Sequence, residues 1–104
     1  MVTTTSQALA ASNAYVANNA SLVTFTLPAT AAFGDVFLVT GYGAGGWQIA
    51  QNALQSINMG ALTTAVGITG SLASTISSNT VIIVCLISNT TFKVIESMGN
   101  ITVV

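Results

Sequence analysis

The amino-acid sequence predicts an all-β fold: a small β-sandwich or β-roll of about eight to ten short, mostly antiparallel strands, working as an oligomer. Three observations carry this. Apolar and polar residues alternate with period two in several segments, as half-buried strands require. Gly, Asn, Ser and Pro punctuate the chain at intervals of roughly ten residues. Only Asp35, Lys93 and Glu96 are charged at neutral pH, 3% of 104 residues, against about 25% in ordinary soluble domains. A surface that neutral loses little solvation when it packs against copies of itself.

The length suits one module spanning residues 1–104. Residues 1–20 read as an extended or irregular N-terminal segment placed to contact a neighbouring subunit. Gln7–Ala17 is rich in Ala, with a short helix as the alternative. Leu22–Leu27 alternates, setting Val23, Phe25 and Leu27 on one face, and Pro28 ends it because proline cannot donate to a ladder. Asp35–Thr40 is the next strand, cut by glycines at 41, 43, 45 and 46. Trp47–Ala50 follows, with Trp47 and Ile49 sharing a face. Ser56–Met59 ends at Gly60, although Ala50, Ala53, Leu54 and Ile57 also fit helical spacing.

Thr63–Val66 and Ser71–Ile76 flank Gly67-Ile-Thr-Gly70 and read as a hairpin. Ser77-Ser-Asn79 turns into the most hydrophobic strand, Thr80–Ser88. The unbroken run Val81–Ile87 implies burial on both faces, under a second sheet or another subunit. Asn89-Thr90 is a two-residue turn into Thr91–Ser97. There, simple alternation puts Phe92, Val94 and Glu96 on one face and Lys93 on the other. Gly99-Asn100 leads into Ile101–Val104.

The composition argues against most chemistry. The chain has no His, no Arg and one Cys, so Ser and Thr lack a base to activate them and Cys85 lacks an imidazole. Asp35 and Glu96 are the only carboxylates, a poor basis for an acid–base pair or a metal site. Gly41-Tyr-Gly-Ala-Gly-Gly46 matches G-x-G-x-x-G. It lacks the acid about twenty residues on and the chain length of a dinucleotide-binding fold, so a glycine turn is the expectation. No catalytic residue, cofactor or metal is therefore expected.

A net charge of −1 with Lys93 as the sole cation argues against nucleic acid as a partner. Apolar residues make up 52% of the chain and mean hydropathy is +0.80. The longest apolar run is nonetheless far short of the ~20 residues of a spanning helix, so membrane insertion is not expected. Met1–Ala20 shows no basic n-region and no continuous apolar stretch, so no secretory signal is visible.

Tyr42 and Trp47, with Tyr15, are the candidate aromatic platforms for a cell-surface glycan. Trp47, at a strand start after Gly45-Gly46, also reads as a core anchor, whereas Tyr42 belongs at an exposed loop tip. Phe25, Val81, Ile83, Cys85 and Ile87 are the candidates for the core or an assembly interface. Cys85 has no partner for an internal disulfide and reads as a small buried apolar side chain. The sequons at Asn19, Asn89 and Asn100 are what an Asn-, Ser- and Thr-rich chain produces by accident.

Ser21-Leu-Val-Thr-Phe-Thr-Leu-Pro-Ala-Thr-Ala-Ala-Phe-Gly-Asp35 resembles a recurring module of phage tail fibres and large bacterial surface proteins. The likeness continues through Gly43-Ala-Gly-Gly-Trp-Gln-Ile-Ala-Gln-Asn-Ala53, Gly70–Thr75 and Gly99–Val104, with Thr5–Ala10 and Tyr15–Asn19 also fitting. The resemblance implies a β-rich, non-enzymatic module of an oligomeric fibre, often trimeric, sometimes at its receptor-binding end. It implies an extracellular or virion location and supplies no catalytic residues. The expected function is therefore a structural or adhesive module that forms a trimer or filament with itself; the alternative is glycan or receptor recognition at a fibre tip.

Overall fold

The alternating segments form strands, and these sort into two sheets. The structure is a computed structural model describing residues 1–104. Its eleven strands are β1 (Ser6–Ala8), β2 (Asn13–Ala17), β3 (Val23–Thr26), β4 (Val36–Gly41), β5 (Trp47–Ala50), β6 (Ser56–Met59), β7 (Leu62–Thr63), β8 (Ser71–Ser74), β9 (Thr80–Ile87), β10 (Thr91–Met98) and β11 (Ile101–Val103). One sheet has the order β1-β3-β5-β8-β11, the other β2-β4-β9-β10-β6-β7. The all-β expectation holds, and neither segment with helical spacing is a helix.

Both sheets are mixed, with antiparallel pairs only slightly in the majority. β1/β3, β3/β5, β2/β4 and β6/β10 run parallel; the remaining neighbours are antiparallel. From β1 to β6 every connection crosses to the opposite sheet, so β1, β3 and β5 lie side by side in one direction, as do β2 and β4. The first half of the chain thus winds as a flattened coil. A spacing of 24 residues separates the partners Val23 and Trp47, and Asn13 and Phe37. Turn residues mark where a strand stops, and carry no information on whether the chain doubles back or crosses over.

The same ambiguity explains the misread hairpin. β7 pairs with β6 in one sheet while β8 pairs with β5 and β11 in the other, so Gly67–Gly70 spans the two sheets. The loop between β9 and β10 has three residues, Ser88–Thr90, with Asn89 in the left-handed region at φ 67°. Residues 1–20 hold two short strands joined by a turn at Ala11-Ser12, and they dock on the chain's own sheets. β1 and β2 are outer strands of the two sheets, and Val2 bridges to Ala17 beyond β2.

Alternation places the core. Val23, Phe25 and Leu27 point inward as expected, with Trp47, Ile49 and Leu72 beside them and Phe37, Val39, Val81, Ile83, Cys85 and Phe92 opposite. Tyr15 of β2 meets Phe25 of β3 at 5.7 Å between ring centroids. Phe37 and Phe92 meet at 6.2 Å, tilted by 58°, within the range where aromatic pairs add to plain burial.

Within the chain, β9 is buried on one face only. Val81, Ile83 and Cys85 are fully buried, Ile82 and Val84 only half-buried, and Ile87 is 60% exposed. Ile87 is therefore not a core residue of this chain. Alternation also fails on β10, where Val94 lies opposite Ile83 and Glu96 opposite Ile82. Ile95 is the extra residue of a β-bulge, which resets the facing of everything after it. Glu96 consequently turns outward, onto the same face as Lys93.

Each crossing leaves backbone groups that no ladder satisfies, and neutral amides occupy them. Gln55 accepts from the Asn52 N–H at 2.8 Å and donates to the carbonyls of Pro28 (2.8 Å) and Asn89 (3.0 Å). Gln51 donates to the carbonyls of Gln55, Ala65 and Gly67 and accepts from the Thr64 hydroxyl. At the other end of β5, Asn79 accepts from the N–H groups of Thr75 and Ile76. No buried side-chain polar atom lacks a partner.

The glycine run is packing. A Cβ on Gly43 would overlap the Asn19 backbone, and one on Gly45 the Ser21 carbonyl, so the loop lies flat against the β2–β3 connection.

Two stability measurements check these assignments. Gln55→Ala strands two carbonyls and one N–H, and denaturant titration should show a loss of about 2–3 kcal/mol. Gly45→Ala should cost about 1–3 kcal/mol through backbone overlap, visible as a lowered melting midpoint.

Candidate interaction surface

A row of aliphatic residues faces outward on the six-stranded sheet. Cα partners across β4, β9 and β10 define successive rungs: Val36, Val84 and Lys93 form one, and Leu38, Ile82 and Glu96 the next. Thr40, Thr80 and Met98 form a third, its two threonine hydroxyls 2.6 Å apart. Leu38, Ile82 and Val84 are half-buried by their neighbours alone, while Leu86, Ile95 and Met98 are exposed. A shallow groove over this face is lined by Leu38, Thr80, Ile82, Glu96, Ser97 and Met98. Glu96 is the groove's only charge, and Lys93 lies in the adjacent rung of the same face. The third charged residue, Asp35, accepts the Ala32 N–H at 2.9 Å at the entry to β4.

The candidate aromatics separate sharply. Trp47 is fully buried, its indole Nε1–H donating to the Asn79 carbonyl at 2.7 Å. It has no free face for a ligand, so it leaves the candidate binding set. Tyr15 is half-buried against Phe25, and its hydroxyl accepts the Ala10 N–H at 2.7 Å. Tyr42 alone is open, 74% exposed, with its backbone N–H held by the Ala17 carbonyl.

Among the assembly candidates, Phe25, Val81, Ile83 and Cys85 lie inside the chain, and only Ile87 reaches the surface. The residues available for contact are instead their outward neighbours Ile82, Val84 and Leu86, with Val36 and Leu38 beside them. Local alternation names that set once the inward face is known. Glu96 was hidden by the bulge.

Cys85 sits under the β4 entry. Its thiol donates to the Ile87 carbonyl at 3.3 Å. Burial pushes its ionisation up from the ordinary value and nearby Asp35 adds to the shift, while a hydrogen bond to the Asn89 backbone opposes it. No group of three or more His, Cys, Asp or Glu residues is gathered to hold a metal. No helix is long and apolar enough to cross a membrane. Compared with known proteins, the chain matches no family model and no curated protein.

The Cys85 environment sets a pH signature. A thiol whose folded value is raised stabilises the fold below the unfolded value, about 8.5, and that contribution fades as pH rises through the folded value. Unfolding free energy should therefore fall on the alkaline side in the native chain and stay flatter in Cys85→Ala. A thiol reagent at pH 8 should label the native protein slowly and the guanidinium-unfolded chain at once.

Proposed function

We propose that this chain is a non-enzymatic structural and adhesive module that associates with itself, as a trimer or a filament, in the manner of a phage tail-fibre or bacterial surface-fibre component. Its place of work in this reading is the virion or the cell exterior. The observation that supports it is the outer face of the six-stranded sheet: five aliphatic side chains on β4 and β9, with one cation and one anion beside them on β10. Covering such a face removes apolar area from water at about 25 cal/mol per Å² and desolvates almost no charge. The resemblance through Leu27–Asp35 and Gly43–Trp47 points the same way. Both segments serve the fold: the first is held by Asn52, Gln55 and Asn89, the second packs on the β2–β3 connection.

A second reading rests on Tyr42. A tyrosine ring held open on a glycine loop is suited to stacking on a sugar, so the module would recognise a glycan or receptor at a fibre tip.

Sedimentation over a wide dilution series tests the first reading, with association expected at micromolar concentration. Ile82→Lys should keep the far-UV circular dichroism of the native chain and weaken association about tenfold or more. Ile83→Lys should fail to fold, because it sets a charge in the core. A native chain that stays monomeric throughout would refute self-association. Binding on a glycan array that disappears in Tyr42→Ala would establish the second reading.

A further inference from the structure

We infer that the outer face of the six-stranded sheet binds a second copy of this chain about a two-fold axis that crosses β10 between Lys93 and Glu96. The inference rests on the self-association proposed above and departs from its trimer, since it makes the first contact a two-fold pair. The Ile95 bulge puts both charges on this face, in adjacent rungs: Val36–Val84–Lys93 and Leu38–Ile82–Glu96. Rungs two residues apart are separated by about 7 Å along the strands. A two-fold axis parallel to the strands would keep each rung at its own level. An axis perpendicular to them, lying between the faces, exchanges the two rungs.

With the perpendicular axis, Lys93 of one copy meets Glu96 of the other, twice over. Val36 and Val84 meet Leu38 and Ile82 of the facing copy, and the Thr40–Thr80–Met98 rung meets Leu86. Two sheets packed face to face lie about 10 Å apart, a gap these side chains fill. Both charges on each copy then gain an opposite partner and none is left alone under the interface. The same face against an unrelated neutral surface would strand both.

The outer edges of the N-terminal strands point away from growth by strand addition. The Thr4 hydroxyl donates to the Ser6 carbonyl at 3.0 Å and the Gln7 amide to the Ala8 carbonyl at 2.9 Å, which occupies the outward acceptors of β1. The Val2 N–H takes the Val16 carbonyl of β2 at 2.7 Å. Edges blocked in this way resist pairing with another chain.

A charge-swap cycle tests the pairing. Lys93→Glu and Glu96→Lys each create like-charge contacts on both sides of the axis and should weaken the dimer by about tenfold or more in sedimentation equilibrium. The double variant restores opposite pairs in reverse and should return to within about threefold of the native constant. At dilutions where every chain is monomeric, thermal midpoints of all three variants should match the native chain, since both side chains are exposed. A trimeric mass, single variants that dimerise as well as the native chain, or a double variant no better than the singles would overturn the pairing while leaving self-association in place. A native chain that never associates would remove both.

Discussion

Crossing between sheets at nearly every connection is the constraint under which the rest of this molecule operates. Each crossing takes backbone N–H and C=O groups out of the ladders and partly out of water, where leaving one unpaired costs about 1–3 kcal/mol. Most proteins could spend charged side chains on some of these positions. Here Gln51, Gln55, Asn52, Asn79 and Asn89 do it with neutral amides, each reaching the backbone of a connection. Amides donate and accept at once, so one side chain closes several gaps. None of them titrates, so these contacts do not depend on proton concentration; the Asp35 carboxylate, which accepts the Ala32 N–H in the β3–β4 crossing, is the exception.

That economy shapes the surface as well. With the amides committed inside and only Asp35, Lys93 and Glu96 charged, solvation outside falls to threonine, serine and asparagine. Where strand alternation places aliphatic residues outward, as at Leu38, Ile82 and Val84, little stands between them. The apolar face and the neutral interior are two results of one composition.

Much of the fold is legible along single strands. Val23, Phe25 and Leu27, or Trp47 and Ile49, name their inward faces directly, because a strand's side chains alternate whatever sheet it joins. What stays hidden depends on partners. The hairpin expected around Gly67–Gly70 looks sound locally, yet its arms belong to different sheets. Glu96 belongs inward by counting and outward in fact, since one added residue at Ile95 reverses the count. Val81–Ile87 reads as doubly buried, whereas within the chain Ile82 and Val84 are only half-buried and Leu86 is exposed. The surface is legible at the same depth: Tyr42 follows from its glycine loop, but the adjacency of Lys93 and Glu96 needs the bulge.

The coil of β1 to β5 has a consequence for how such a protein lengthens. Its strands stack on their own kind, Val23 on Trp47 and Asn13 on Phe37, 24 residues apart. An in-frame duplication of one such period would add a strand to each sheet and extend the stack by about 4.8 Å, leaving the strand partners of the antiparallel half unchanged. A gene could therefore tune the reach of this module by copying itself in small increments, the way a ladder is extended at one end.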